Sequence, residues 1–152
     1  MLLIAQQVSG KAVRDTLFLS SFRANHLPFA MAAGALLSRA AAYWVSHLLA
    51  RHGPDRILPL LFAGSAGGFA LAWAVDLGTP RAAAVLVYMQ TALLAPVMIS
   101  TFWSLVNERF DPHAAKSAVA RIASGGTLGG VLGGMAAWRA SSVGAVLLFL
   151  AA

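Results

Sequence analysis

Cysteine is absent from this 152-residue chain, and charged residues are scarce. Without cysteine, neither a disulfide nor a thiolate-bound metal can form. Only 11% of the residues are charged, whereas about 25% is usual in soluble domains. In contrast, 59% are hydrophobic and the mean hydropathy is +0.75. This balance is typical of a membrane protein whose main partner is the lipid bilayer.

Three long runs carry no charge at all: 57–75, 82–106 and 122–138. Their lengths are close to the roughly 20 residues that cross a bilayer as a helix. The sequence therefore predicts three membrane spans at these positions. Charges lie in the middle of the first apolar segment and no basic residues precede it, which disfavours a signal peptide there.

The whole chain divides into hydrophobic segments separated by short turns rich in glycine and proline. We predict helices over roughly 1–23, 28–50, 57–76, 81–106, 113–138 and 141–152. Short connections make consecutive helices antiparallel, so the fold class is all-α, a polytopic transmembrane bundle of five to six helices in one domain, 1–152. The last segment reaches only about 18 Å of a roughly 30 Å core, which predicts a truncated helix.

Basic residues favour one orientation of this bundle by a small margin. The second and fourth loops together hold four of them, against three in the first, third and fifth loops, namely Arg23, Arg81 and Arg139. The positive-inside rule then places the second and fourth loops in the cytoplasm. We expect a multi-pass protein, most simply of a bacterial inner membrane.

The first helix carries a charged group, Lys11, Arg14 and Asp15, inside an apolar stretch. An ionised side chain in a membrane span costs at least about 2.5 kcal/mol, so such residues usually face a protein interior or a wet cavity. The i, i+4 spacing predicts that Lys11 and Asp15 neutralise each other. Arg14 would then be available to bind a carboxylate or phosphate. The alternative is a salt-bridged lock between helices.

Two further arginines lie within predicted helices. Arg39 is near the middle of the second segment, and Arg121 shares a helix face with Ser117 and Ser124 in the fifth. We expect both arginines to point into the bundle, where they would add positive charge for an anionic ligand. A hydrogen-bonded lock between helices is an equal alternative for Arg39. His47, on nearly the same face, is predicted to be a packing residue rather than a metal ligand.

The fifth segment contains a ladder of glycines at four-residue spacing. Its members are Gly125, Gly126, Gly129, Gly130, Gly133 and Gly134. Small residues at this spacing let two helix backbones approach closely, so we predict a helix-packing face. A phosphate-binding loop is excluded, because no strand precedes the run and no Gly-Lys-Ser/Thr ends it.

No motif predicts an enzyme. The tetrapeptide Gly64-Ser65-Ala66-Gly67 faintly resembles a membrane serine protease, with His47 as a possible base. However, Ala63 stands where a nucleophile elbow has glycine, and no third orienting residue is evident. We therefore expect no catalysis and no cofactor.

Residues 102–108, Phe-Trp-Ser-Leu-Val-Asn-Glu, are followed by Ala115-Lys116 and the glycine ladder. This pattern resembles the ATP/ADP translocase-like branch of the major facilitator superfamily. The segment 11–19 is similar to that family's opening helix, and 49–56 to the superfamily's loop between helices two and three. Ala50 and Ser117 stand where an acidic residue and an arginine are usual.

The resemblance implies the amino-terminal half of a twelve-helix transporter that works by alternating access. Its substrate would be an anionic solute such as ATP or ADP. Its partner would be the missing carboxy-terminal half or a second copy, and no nucleic acid polymer is expected. Substrate-binding residues would be Lys11, Arg14, Asp15, Arg39 and Arg121. Gating or loop residues would be Arg51, Asp55, Arg56, Asn107, Glu108 and Lys116. The alternative function is a non-transporting scaffold that docks another subunit through the glycine ladder.

Overall fold

The computed structural model describes residues 2–143, with the side chains of 2, 112–117 and 140–143 left out. Five α-helices and one 3-10 turn account for nearly all of this range, and no strand occurs in it. The helices are α1 (Leu2–Ser21), α2 (Leu27–His52), α3 (Pro54–Asp76), α4 (Pro80–Arg109) and α5 (Pro112–Val143); the 3-10 turn Ala24–His26 precedes α2. The predicted all-helical class is confirmed.

Prolines and one glycine determine where the helices begin and end. Pro54, Pro80 and Pro112 each stand at the first position of a helix, where proline's missing N–H is no loss and its fixed φ suits the helix. Gly53 alone separates α2 from α3, and its φ of +78° lies in a region that costs glycine little. The turns predicted from these residues are therefore the turns that form.

One predicted boundary is wrong. Helix α5 continues through Arg139 to Val143, whereas the sequence predicted a connection between 138 and 141. No proline interrupts the stretch, and its alanines and serines are compatible with a helix. The remainder of the predicted sixth segment, 144–152, lies outside the described residues.

Helix α4 lies at the centre of the bundle. It packs against α1, α2 and α3, while α5 packs against α1. One buried cluster joins Val13 and Leu17 of α1 to Phe69 of α3 and Val87 of α4. A second joins Phe18 of α1 to Tyr88 of α4. Consecutive helices alternate in direction, as short connections require.

Much of the apolar surface stays uncovered. Helix α2 buries only Ala30 and Gly34, and its Phe29 and Trp44 are 77% and 70% exposed. Two of the described helices, α3 and α4, are long and apolar enough to cross a membrane, yet only 22% and 39% of their apolar stretches are buried. A core helix of a soluble protein would be mostly buried, so this exposure supports association with a membrane. Helix α5, which contains the predicted span 122–138, is not one of these two.

Candidate functional site

Three helices surround an open cavity of about 200 Å³ that contains Arg14. Arg14 comes from α1, Ser38 from α2 and Tyr88 from α4. Small residues and one methionine complete the wall: Met31, Gly34, Ala35 and Ala92. At one edge of the cavity α2 and α4 approach each other closely, because they present glycine and alanine there. A Cβ added to Gly34 would lie 2.9 Å from the Cβ of Ala92.

Two groups fix the guanidinium of Arg14. Its Nε donates a hydrogen bond of 2.8 Å to Oδ1 of Asp15, and its Cζ lies 5.0 Å from the ring centroid of Tyr88. Phe18 packs against the same ring, with the centroids 4.9 Å apart. A cation over an aromatic face gains roughly 0.5–2 kcal/mol, more when water is excluded. The Arg14 side chain is 23% exposed, so it is partly shielded from solvent but still open to the cavity.

The predicted pairing of Lys11 with Asp15 is wrong. Asp15 pairs with its neighbour Arg14, and Lys11 is exposed on α1. The long arginine can bend sideways to reach an adjacent carboxylate even though i and i+1 positions of a helix do not face each other. The positive charge left over in this group therefore belongs to Lys11, not to Arg14.

The other two arginines predicted to bind substrate do not line the cavity. Arg39 is exposed on α2, on the face where Tyr43 and His47 form an edge-to-face contact with centroids 4.7 Å apart. Arg121 is exposed on α5, which reaches the bundle through α1. In the described bundle neither of them points inward, because α2 and α5 each bury a narrow face of small residues and leave their long side chains outside.

The predicted loop residues gather at one end of the bundle. Alternating helix directions bring the α2–α3 and α4–α5 connections to the same end. The side chains described there are all exposed: Arg51, Asp55, Arg56, Asn107 and Glu108. The side chain of Lys116 lies outside the described residues. The cavity containing Arg14 is nearer the opposite end, where α1 meets α2 and α3 meets α4.

The glycine ladder of α5 faces α1 along one edge. A Cβ on Gly126 would lie 3.7 Å from Cγ1 of Ile4, and a Cβ on Gly130 would lie 4.0 Å from its Cγ2. Gly129 and Gly133 are buried, whereas Gly125 and Gly134 are half-buried. Added at Gly134, a Cβ would meet nothing within 4 Å. The ladder therefore has a tight edge and an open edge.

A buried polar network between α1, α3 and α4 was missed by the sequence reasoning. Gln6 donates to the hydroxyl of Ser65 at 3.2 Å, and Gln7 donates to Oε1 of Gln6 at 3.2 Å. Gln90 donates to the backbone carbonyl of Ser65 at 2.8 Å. An amide inside the uncharged run 82–106 is the signal that could have revealed it. Ser65 thus bridges α1, α3 and α4. His47, the base that a serine protease would need beside this serine, lies on another helix and contacts Tyr43.

No family model, no curated protein and no solved structure matches this chain. The resemblance to the ATP/ADP translocase-like transporters stays a prediction.

Proposed function

We propose that this chain is a membrane-embedded helical bundle that binds an anionic solute as the amino-terminal half of an alternating-access transporter. The observation that supports this most is the position of Arg14, which Tyr88 and Asp15 hold in the wall of an open cavity between three helices. Arginine is suited to the task, because its planar fork matches carboxylate and phosphate.

The position of Arg14 along its helix also favours this function. It is the thirteenth of the twenty residues of α1, so its Cα lies about 4 Å from the helix midpoint. Sites of secondary transporters lie near the bilayer midplane, between two repeats that move against each other. Helix α1 is not one of the two helices that are apolar enough on their own to cross a membrane; we propose that it spans together with α3 and α4. A charge at that depth is expensive in lipid and is kept where it has a function.

The uncovered face of α2 also supports this function. Helix α2 exposes Arg39, Tyr43 and His47 together with large apolar side chains. We propose that the carboxy-terminal half, or a second copy of the chain, covers this face. Arg39 would then join Arg14 and the exposed Lys11 around a shared anion, for which the resemblance implies a nucleotide.

A scaffold is the second candidate, and a specific observation favours it. Arg14, Asp15 and Tyr88 already satisfy one another in part, and the tight edge of the glycine ladder already packs on α1. In that case the charged group is a lock between α1 and α4, and the molecule acts by docking another subunit.

Measuring stability and uptake on the same variant separates the two functions. In a wet cavity water solvates what remains after Arg14→Gln is made in the full-length transporter, so thermal stability should stay near that of the wild type while anion uptake is lost. In a structural lock the same change removes the contact between Arg14 and the Tyr88 ring, at a cost of about 0.5–2 kcal/mol, while the loss of the pair adds little because Asp15 is half exposed. Arg81→Gln, an exposed residue at the end of the bundle, is the matched control and should change neither quantity. A large stability loss with uptake retained by the folded fraction would reject transport through Arg14.

A further inference from the structure

We propose that the Arg14 cavity binds one small oxyanionic group, a carboxylate, phosphate or sulfate, and that this group replaces Asp15 on the guanidinium. The proposal rests on the proposed function, since both use Arg14 as the anion ligand. It adds a size limit for the part of the substrate that enters the cavity and assigns Asp15 the role of an internal competitor.

The size limit follows from the volume of the cavity. About 200 Å³ is the space that some seven water molecules occupy in the liquid. Pockets for drug-sized ligands begin at about 300 Å³, so this open cavity has room for one phosphate or carboxylate group. The rest of a larger ligand, such as a nucleotide, would lie outside it.

The lining supplies a suitable environment for such a group. Tyr88 covers one face of the guanidinium, while Ser38 brings a hydroxyl from the opposite helix. That hydroxyl donates to the carbonyl of Ala35 at 3.0 Å, so it would have to turn away from this carbonyl to donate to an anion. The donors for an anion therefore come from Arg14, which carries five N–H groups of which Asp15 takes one.

Asp15 holds Arg14 in a way that is easily undone. The two residues are adjacent on α1, where side chains do not face each other, and the Asp15 side chain is 50% exposed. Exposed ion pairs contribute little, because water and salt compete with them. An anion that enters the cavity can therefore replace Asp15 on the guanidinium of Arg14, and the released carboxylate is then hydrated. Without a ligand the Arg14–Asp15 pair is neutral overall, so only an anion that binds the guanidinium more strongly than Asp15 does displaces the carboxylate.

Anion binding to purified protein in neutral detergent tests this assignment. The probes are inorganic phosphate, malonate and ATP at matched ionic strength, with chloride as the reference, and the readout is the rise in thermal unfolding temperature with anion concentration. Phosphate and malonate should stabilise the wild type, and ATP should do so no more than phosphate at equal concentration, because only one of its phosphoryl groups enters the cavity. In Asp15→Asn the Kd for phosphate should fall about two- to fivefold, the range that an exposed ion pair corresponds to.

Two further variants identify the ligand side chain. Arg14→Lys keeps the charge but loses the fork, so it should weaken phosphate binding while folding normally. Arg23→Gln, exposed in the connection after α1, is the control for general attraction and should bind phosphate like the wild type.

Three outcomes would overturn the assignment, each for a different reason. Weaker phosphate binding by Asp15→Asn would mean that the carboxylate orients Arg14 instead of competing. Stabilisation by ATP alone would mean that the cavity is one corner of a larger site, and the transport proposal would then survive. Absence of any anion effect, with uptake also insensitive to Arg14, would remove both proposals together.

Discussion

The backbone of α5 meets the backbone of α1 at Gly133 and Ala5. A Cβ built on Gly133 would lie 2.5 Å from the carbonyl oxygen of Ala5 and 2.9 Å from its Cα. Real Cβ atoms do not approach backbone this closely, and backbone cannot rotate away as a side chain can. The contact therefore requires glycine at 133.

Gly133→Ala and Gly134→Ala form a matched pair that tests this contact. Alanine in a helix is favoured over glycine by about 0.5–1 kcal/mol, so Gly134→Ala, which meets nothing, should be stabilised by that amount. Gly133→Ala should instead be destabilised by about 1–3 kcal/mol, the usual cost of overpacking. Thermal unfolding of both variants in one detergent measures the difference. Equal stabilisation of the two would show that α5 does not rest on α1 in this way.

A second neighbouring pair tests the buried amide network. The Gln90 side chain occupies the space where a Cβ on Gly68 would stand, whereas a Cβ on Gly67 meets nothing within 4 Å. Gly68→Ala should displace the Gln90 amide from the carbonyl of Ser65 and cost about 1–3 kcal/mol. Gly67→Ala should not destabilise the protein. Combining Gly68→Ala with Gln90→Ala should recover much of the loss, and an additive double mutant would contradict the assigned contact.

The ring of Tyr88 should matter more than its hydroxyl. Tyr88→Phe keeps the aromatic face under Arg14, and we expect a change in stability below about 0.5 kcal/mol. Tyr88→Leu removes the cation–π contact and should cost about 0.5–2 kcal/mol beyond the lost packing. A double-mutant cycle with Arg14→Gln isolates this coupling. A coupling indistinguishable from zero would show that the guanidinium does not rest on the ring.

The absence of cysteine makes topology easy to test. His52→Cys, at the end where α2 meets α3, should resist an impermeant thiol reagent in intact cells, because positive charge there favours the cytoplasm. Leu77→Cys, 75% exposed in the α3–α4 connection, should be labelled. Reaction at position 52 together with protection at position 77 would show that the bundle has the opposite orientation in the membrane.

Proline, glycine and hydrophobic spacing were enough to predict the helices, because the residues that end a helix act locally. The break expected near Arg139 failed for the same reason, since one arginine among alanines and serines does not end a helix. Asp15 illustrates what local rules could not supply: its choice of Arg14 over Lys11 depends on Tyr88, which is 73 residues away and draws the guanidinium to one side. Likewise, the outward placement of Arg39 follows from which face of α2 meets α4, and α2 has too few polar residues to indicate that face.

The single residue that joins α2 to α3 constrains how the bundle can move. With Gly53 as the only link, α2 cannot slide along α3, but it can pivot at that point. Gly34, in the cavity wall, precedes Gly53 by nineteen residues, which is about 28 Å along the axis of α2. A tilt of about 5° at the pivot would thus shift the wall by about 2.5 Å. A rotation of α2 about Gly53 would therefore change the width of the Arg14 cavity while the α2–α3 connection stays in place.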